Sequence, residues 1–386
     1  MKIGTESPEG GPAVIYGHPV EVAAEDLAHQ NGCMRVLITT TRSLAAGPAA
    51  DLAEALGDLC VGVFSDIPAH SPRTSVIAGA QAARAAKADL LLALGGGSVI
   101  DATKAMLLAI WAKLETPEAL DPYRAGRKGD REMRYALHPS IRMAAAPTTL
   151  SAAEFTTLAG ITDTDGGGGK EGFAHADFAP IGIILDPDLT RTAPPDLWFS
   201  TGMKAIDHAV EQLCSNERSR LYDAVAEEGL SLLVRGLRAT KANPEDLQAR
   251  QDCQFGMWRA MASARSGRGM GASHAIGHTL GGNYGVPHGV TSCVILPAVL
   301  AWNAAVGTER QEVVSRVIGL KGRASEAVAG LVRELGLPSS LKAVGVTRPD
   351  FQAIAEHTMH DAGVRTNPRP ISSPADIVEI LELAAG

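Results

Sequence analysis

Residues 88–104 read ADLLLALGGGSVIDATK. The apolar run 88–94 is typical of a buried strand, the glycines and serine that follow are typical of a tight turn, and residues 99–104 have a helical pattern. Such a turn places backbone N–H groups and the positive helix end where a phosphate can bind. Because glycine permits close backbone approach, Gly95, Gly96, Gly97 and Ser98 are predicted to hold a phosphate. The stretch matches neither G-x-G-x-x-G nor a Walker P-loop, so a purely structural turn stays open as an alternative.

On either side of this stretch, short apolar runs alternate with alanine-rich helical patterns. Strands are predicted at 34–40, 61–64, 88–94, 141–146 and 181–185, and helices at 45–59 and 75–87. Continuous apolar strands that alternate with helices indicate a parallel sheet covered on both faces. A polar stretch at 115–139 is predicted to form a surface excursion.

The pattern changes after Asp186. Helices are predicted at 195–214, 220–238, 244–266, 273–280 and 293–306, with two more near the C-terminus. A chain of 386 residues is long enough for two hydrophobic cores. We therefore predict an α/β domain over 1–187 that binds a dinucleotide and an all-α domain over 188–386.

Composition excludes several classes of protein. The formal charge of −8 and the lack of a basic run argue against a nucleic-acid partner. We expect no membrane partner, because no run of about 18 apolar residues is evident and residues 1–6 lack a signal-peptide pattern. The five cysteines are scattered and form no C-x-x-C pair, which fits a cytoplasmic protein without disulfides.

Further polar residues are predicted at the carboxyl edge of the sheet, where open parallel sheets bind ligands. Thr148, Thr149 and Ser151 follow the strand at 141–146, and Asp101 lies in the helix after the glycine turn. The strand at 34–40 is followed by Thr41, Arg42 and Ser43. An acid at this point would hold ribose hydroxyls and repel a 2′-phosphate, so its absence predicts that a 2′-phosphate is tolerated.

Four histidines have an informative spacing. His274 and His278 are four residues apart and share a helix face, and His288 follows ten residues later. His208 lies on the amphipathic helix 202–211. Two helices and a loop can bring these imidazoles together, which suits a divalent metal or a proton relay.

Together these segments resemble the iron-containing alcohol dehydrogenase family. The resemblance rests on the glycine turn with Asp101 and Lys104, on 147–149 with Glu154, on 186–189, on the helix 202–211, on His274, His278 and His288, and on Asn303. The phrases at 278–282 and 367–371 are similar to those of the maleylacetate reductase branch.

The resemblance implies a Rossmann-like N-terminal domain, a helical C-terminal domain and an active site in the cleft between them, an architecture shared with dehydroquinate synthase. It also implies NADPH or NADH as cofactor and a homodimer. In metal-dependent members an aspartate and three histidines hold iron or zinc. The histidines match His208, His274 and His288, and His278 matches a histidine near the nicotinamide. The aspartate matches Lys204.

Lys204 makes a catalytic metal doubtful, because an ammonium group has no lone pair and repels a divalent cation. We predict that Lys204 replaces the metal by polarising the substrate oxygen or holding a carboxylate, as a catalytic residue together with His208, His274 and His278. Two alternatives stay open: Lys204 pairs with Asp207 or Glu211 on the helix surface, or Asp207 supplies a metal ligand.

A small-molecule carbonyl or oxo-acid substrate is expected, reduced by NAD(P)H without a metal. The maleylacetate branch has two adjacent histidines and a lysine where this chain has Ser273, His274 and Ala275, so its substrate is not carried over. Arg265 and Arg268 can contact an acidic substrate. The alternatives are an iron- or zinc-dependent alcohol dehydrogenase, a lyase of the dehydroquinate synthase type, and a non-catalytic nucleotide-binding descendant.

Overall fold

A computed structural model describes residues 1–7, 11–126, 129, 133–134, 136–163, 169–217, 219–264, 267, 269–319 and 322–386. The chain forms two compact units, Met1–Thr192 and Ala193–Gly386. The division falls a few residues after the predicted 187, because the turn Leu189–Thr192 stays with the first unit. Leu189 is part of a core of that unit, and Asp186 accepts the backbone N–H groups of Val20 and Leu189.

The described strands of the first unit form a seven-stranded sheet and a separate two-stranded hairpin. The sheet order is β1-β2-β9-β6-β5-β3-β4, in which only β1 is antiparallel to its neighbour, and β7 pairs with β8. The strands are β1 (Gly4–Glu6), β2 (Ala13–Tyr16), β3 (Val36–Thr39), β4 (Cys60–Phe64), β5 (Leu90–Gly95), β6 (Arg142–Pro147), β7 (Leu158–Thr162), β8 (Lys170–Ala174) and β9 (Gly182–Leu185).

Helices cover both faces of this sheet, as predicted. They are α1 (Val20–Gln30), α2 (Arg42–Ala45), α3 (Pro48–Leu56), α4 (Arg73–Ala85) and α5 (Gly97–Trp111). Strand β5 is buried along its whole length. Its alternate residues enter two different cores, Leu91 and Ala93 on one face and Leu90, Leu92 and Leu94 on the other.

The second unit is helical in all its described elements. Its helices are α6 (Pro195–Cys214), α7 (Arg220–Ala242), α8 (Leu247–Ala264), α9 (Ala272–Tyr284), α10 (His288–Trp302), α11 (Thr308–Ile318), α12 (Ala324–Leu335), α13 (Phe351–Thr358), α14 (Gly363–Thr366) and α15 (Pro374–Leu383). One stretch, His288–Ala305, is long and apolar enough to cross a membrane, although no such run was expected. It is 67% buried in the protein, as expected of a helix in a globular core.

Several predicted elements have different bounds. The helix predicted at 45–59 is α3 flanked by short helical turns, because Gly47 and Gly57 break the run. The helix predicted at 293–306 begins at His288, where Pro287 provides the N-cap. The excursion at 115–139 contains the 3-10 helix Pro117–Tyr123, and part of it lies outside the described residues. Strands β1 and β2, helix α1 and the β7–β8 hairpin were not predicted.

Candidate active site

The glycine turn joins β5 to α5 as the sequence indicates. Gly95 has φ +155°, and a Cβ there would lie 2.6 Å from Cγ2 of Val99, so only glycine fits. Gly96 is the N-cap of α5, and within the described chain no side chain caps this helix. The positive end of α5 is therefore open to an anionic ligand.

Two hydroxyl side chains line this turn. A Cβ on Gly96 would lie 3.0 Å from Cγ2 of Thr149, and one on Gly97 would lie 3.0 Å from Oγ of Ser151. The backbone N–H of Thr148 donates to the Gly95 carbonyl over 3.1 Å. The hydroxyls of Thr149 and Ser151 are buried without a hydrogen-bond partner among the described atoms. Unpartnered buried hydroxyls beside a helix N-terminus fit the phosphates of a dinucleotide.

The segment that carries these hydroxyls is anchored by Lys104, which is fully buried on α5. Its ammonium donates to the carbonyls of Ala153, Thr156 and Leu158 at 2.6, 2.8 and 2.9 Å. Burial lowers the pKa of Lys104 to about 8, and burial also raises the pKa of Glu154 to about 7 against the attraction of Lys104. The carboxyl of Glu154 has no hydrogen-bond partner among the described atoms.

Two predicted cofactor residues have other partners. Asp101 accepts the backbone N–H of Gly160 over 3.1 Å and so ties α5 to β7. The hydroxyl of Thr41 lies 2.8 Å from that of Ser43. Arg42 forms a 2.8 Å ion pair with Asp66, and both side chains are exposed. No acid follows β3 in the sequence, but in the structure Asp66, which follows the neighbouring strand β4, lies beside Arg42 at this position.

In the second unit, the imidazoles of His208, His274, His278 and His288 come together; we call them the imidazole cluster. His208 stacks on His274 with ring centroids 4.8 Å apart, and His278 stacks on His288 at 5.5 Å. His274 and His278 meet edge to face at 6.3 Å. The four imidazoles, which the sequence predicts to converge, therefore lie together in the second unit.

His274 is held by two carboxylates of α6. Its Nδ1 lies 2.7 Å from Glu211 Oε2 and 3.7 Å from Asp207 Oδ2. Glu211 also accepts the backbone N–H groups of Gly271 and Ser273, both over 2.8 Å, so it clamps the first turn of α9. Burial raises the pKa of Glu211 to about 7, and these backbone N–H donors oppose the rise. Glu211 fixes the position of the His274 ring through its Nδ1.

Burial sets the protonation of the inner rings. It lowers the pKa of His274 to about 3, an effect that the nearby Lys204 ammonium strengthens. Burial, with the neighbouring His274 and Lys204, lowers the pKa of His208 well below its usual range. Both rings are neutral at neutral pH. His208 Nδ1 and His274 Nε2 have no hydrogen-bond partner among the described atoms.

Lys204 lies one turn before His208 on α6 and is only 8% exposed. This face of α6 is buried rather than solvated, so a pairing of Lys204 with Asp207 or Glu211, the alternative that the sequence left open, would lie inside the protein. Asp207 accepts the Ser273 hydroxyl over 2.7 Å, and Glu211 accepts the backbone N–H of Ser273. The structure therefore brings a buried positive charge to the imidazole cluster.

The residues that provide metal-type ligand atoms differ from the predicted set. Among the described residues, one group brings three or more such atoms within 4.8 Å of one another, and it consists of Asp207, Glu211 and His274. The set His208, His274 and His288 is not such a group in the described chain. Both oxygens of Glu211 are occupied by N–H donors.

Sequence reasoning missed the acids that hold the rings. Glu211 is three residues after His208, a helical spacing that could have identified it. Asp361, whose Oδ2 lies 2.8 Å from His278 Nδ1, is 83 residues away in the chain and gave no local signal. Arg265 and Arg268, predicted to contact an acidic substrate, lie outside the described residues.

Comparisons with known proteins extend over the whole chain. Residues 12–187 match the family model described as iron-containing alcohol dehydrogenase, and residues 198–385 match its C-terminal counterpart. A maleylacetate reductase of Sphingobium indicum is 32% identical over 96% of this chain and 94% of its own. The dehydrogenase FUM7 of Gibberella moniliformis is 31% identical over 97% and 96%.

A solved structure has the same fold. The maleylacetate reductase from Agrobacterium tumefaciens covers 100% of this chain and 98% of its own length, with a TM-score of 0.81 and 26% identity.

Proposed function

Since the chain belongs to the iron-containing alcohol dehydrogenase family and is an NAD(P)-dependent oxidoreductase, we propose that it reduces a small carbonyl or oxo-acid substrate without a catalytic metal. The observation that carries this proposal is Lys204, a buried lysine at the position that matches the family's aspartate ligand. Because the chain belongs to this oxidoreductase family, we do not pursue the alternatives of a lyase of the dehydroquinate synthase type or a non-catalytic nucleotide-binding protein.

A divalent cation does not fit the imidazole cluster well. The Lys204 ammonium offers no lone pair, and its charge repels a cation. Glu211 has both oxygens committed to N–H donors, so the group of Asp207, Glu211 and His274 serves to hold α9 and orient His274. We therefore derive no catalytic step through a metal.

The first unit supplies the cofactor site in this proposal. Gly95, Gly96, Gly97 and Ser98 with the open end of α5 hold the pyrophosphate, and the unpartnered hydroxyls of Thr149 and Ser151 contact it. The reduced nicotinamide, when bound, supplies a hydride to the carbonyl carbon. Both NADH and NADPH are accepted, with Arg42 free to turn from Asp66 to a 2′-phosphate because both partners are exposed.

The second unit supplies the charge and the proton. As the carbonyl oxygen gains negative charge, the buried Lys204 ammonium stabilises it. His208 and His274 are neutral because burial lowers their pKa values. They therefore line the site and form hydrogen bonds with the substrate, but they do not act as acids. His278 is 52% exposed and is the ring that delivers the proton, which completes the alcohol.

The substrate class is tested with a panel of small carbonyl compounds, with and without a carboxylate, by following the loss of reduced nicotinamide absorbance. Oxo-acids are expected to give the higher kcat/KM, because Lys204 also attracts a carboxylate. The likeness to maleylacetate reductases supports this order. Turnover of none of these compounds with either cofactor would contradict the proposal.

We also propose a homodimer, as the family resemblance implies. Light scattering on the purified protein tests it, and a mass near 40.2 kDa would contradict it.

A further inference from the structure

We propose that Asp361 is a positioning residue that orients the imidazole of His278 for proton delivery to the substrate. The inference rests on the role given to His278 above and goes beyond it by naming the group that fixes the ring.

The ring of His278 is fixed in two directions. Its Nδ1 lies 2.8 Å from Asp361 Oδ2, which sets the rotation of the ring within its plane. Its face stacks on His288 with an interplanar angle of only 9°, which sets the tilt. A side chain that is half exposed would otherwise sample several rotamers.

Asp361 also decides which nitrogen faces the substrate. Burial raises the pKa of Asp361, but the hydrogen bond and the charge of His278, together with the backbone N–H of Gly363, hold this pKa below its usual range. The group is therefore a carboxylate, which only accepts hydrogen bonds. Nδ1 of His278 donates its hydrogen to Asp361, so the proton delivered to the substrate is the one that Nε2 carries when both ring nitrogens are protonated. Delivery leaves a neutral ring with its hydrogen on Nδ1.

Asp361 is itself held firmly by the backbone around it. Its other oxygen, Oδ1, accepts the backbone N–H of Gly363 over 2.8 Å. Gly363 packs directly on the first turn of α9, because a Cβ there would lie 2.6 Å from the Gly271 carbonyl oxygen and 3.2 Å from the Ala275 Cβ. The carboxylate and the imidazole are thus both fixed relative to α9.

A second bond ties the same two segments together. The hydroxyls of Thr279 on α9 and Thr358 on α13 lie 2.9 Å apart and are buried. Thr279 is next to His278 in the chain, and Thr358 lies about one turn before Asp361. Because this bond already joins α9 to α13, the Asp361–His278 bond is not needed to hold the two segments together. Its value lies in the orientation of the ring.

The test compares kcat and KM for the Asp361→Ala and Asp361→Ser variants with the unmodified enzyme. Serine can still accept the Gly363 N–H, but it is too short to reach His278, so it preserves the turn while removing the bond. Both variants are expected to lower kcat by about 10- to 100-fold with KM for the cofactor within about twofold. Asp361→Asn keeps one acceptor oxygen where Asp361 uses two, one for Gly363 and one for His278, so it is expected to lower kcat as the other variants do.

A matched control and a double variant complete the design. Asp350→Ala removes another aspartate of the second unit that caps a backbone N–H, at Thr347, and should leave kcat unchanged. In a His278→Ala background, Asp361→Ser should have no further effect, because it acts through that ring.

Two outcomes overturn the inference: wild-type kcat in Asp361→Ser, or a further loss of the same size in the His278→Ala background. If His278→Ala itself keeps wild-type kcat, the proposed role of His278 fails as well. A wild-type kcat in Asp361→Ser with an inactive His278→Ala removes only the inference on Asp361.

Discussion

Replacing Lys204 with methionine isolates the charge at the imidazole cluster. Methionine retains an apolar stem of similar length, so the packing of the buried side chain changes little. The ammonium is lost, and no group at this position then opposes the negative charge that develops on the substrate oxygen.

The size of the effect follows from the burial of Lys204. Two unit charges about 4 Å apart at an effective dielectric constant of about 20 attract each other by about 4 kcal/mol. Since each ~1.36 kcal/mol of barrier is a factor of ten in rate, full loss of this attraction lowers kcat by at most about 10³-fold. We expect a loss of about 10²- to 10³-fold, the range for removal of one donor to a developing oxyanion.

The assay is steady-state oxidation of NADPH with the best carbonyl substrate, together with fluorescence titration of NADPH binding. Cofactor affinity should stay within about twofold, because Lys204 belongs to the second unit and is not part of the glycine turn. Lys342→Met is the control, since this lysine is exposed in the same unit. A kcat for Lys204→Met within about threefold of the unmodified enzyme would refute the role of the charge.

Three further predictions concern the metal, the cofactor and pH. Lys204→Asp introduces the carboxylate of metal-dependent relatives. In calorimetric titrations this variant should bind a divalent cation, whereas the unmodified protein should bind none. Equal binding by both proteins would contradict the claim that Lys204 prevents metal binding. Arg42→Ala should raise KM for NADPH about tenfold and leave KM for NADH unchanged, while Asp66→Asn should lower KM for NADPH, because it releases the guanidinium. Burial raises the pKa of Glu154 from 4.5 to about 7, so the protonated acid is favoured by folding and its stabilising contribution is lost as pH rises through about 7. Denaturant midpoints measured between about pH 5 and pH 8 should fall less in Glu154→Gln than in the unmodified protein, and equal falls would show that Glu154 does not titrate with folding.

The sequence predicted the centre of the first unit because local pattern and tertiary role coincide there. The apolar run at 88–94 is buried on both faces, and the glycines after it permit the tight turn into a helix. Strands β1 and β2 and the β7–β8 hairpin were missed because their runs are short and partly exposed. Strand β2 takes its place by pairing with the distant β9, whereas β1 with β2 and β7 with β8 are pairs of short strands that lie near each other in sequence.

The candidate site was also predictable only in part, since the sequence indicated which rings meet but not which acids hold them. The spacing of His274 and His278 on one helix, with His208 on another, was enough to predict that the rings meet. Their partners were not predictable, because Asp361 and His278 are joined only by the fold. Asp66 beside Arg42 is a similar case, since it follows a different strand and meets the guanidinium only when β3 and β4 pair.

Catalysis by a buried lysine in place of a metal is the central claim, and the activity of chelated protein tests it most directly. The protein is stripped with a strong chelator, its iron and zinc contents are measured by mass spectrometry, and its kcat is compared with that of untreated protein. Full kcat is expected at metal contents far below one ion per chain. Loss of activity on chelation, restored by one equivalent of iron or zinc, would contradict it.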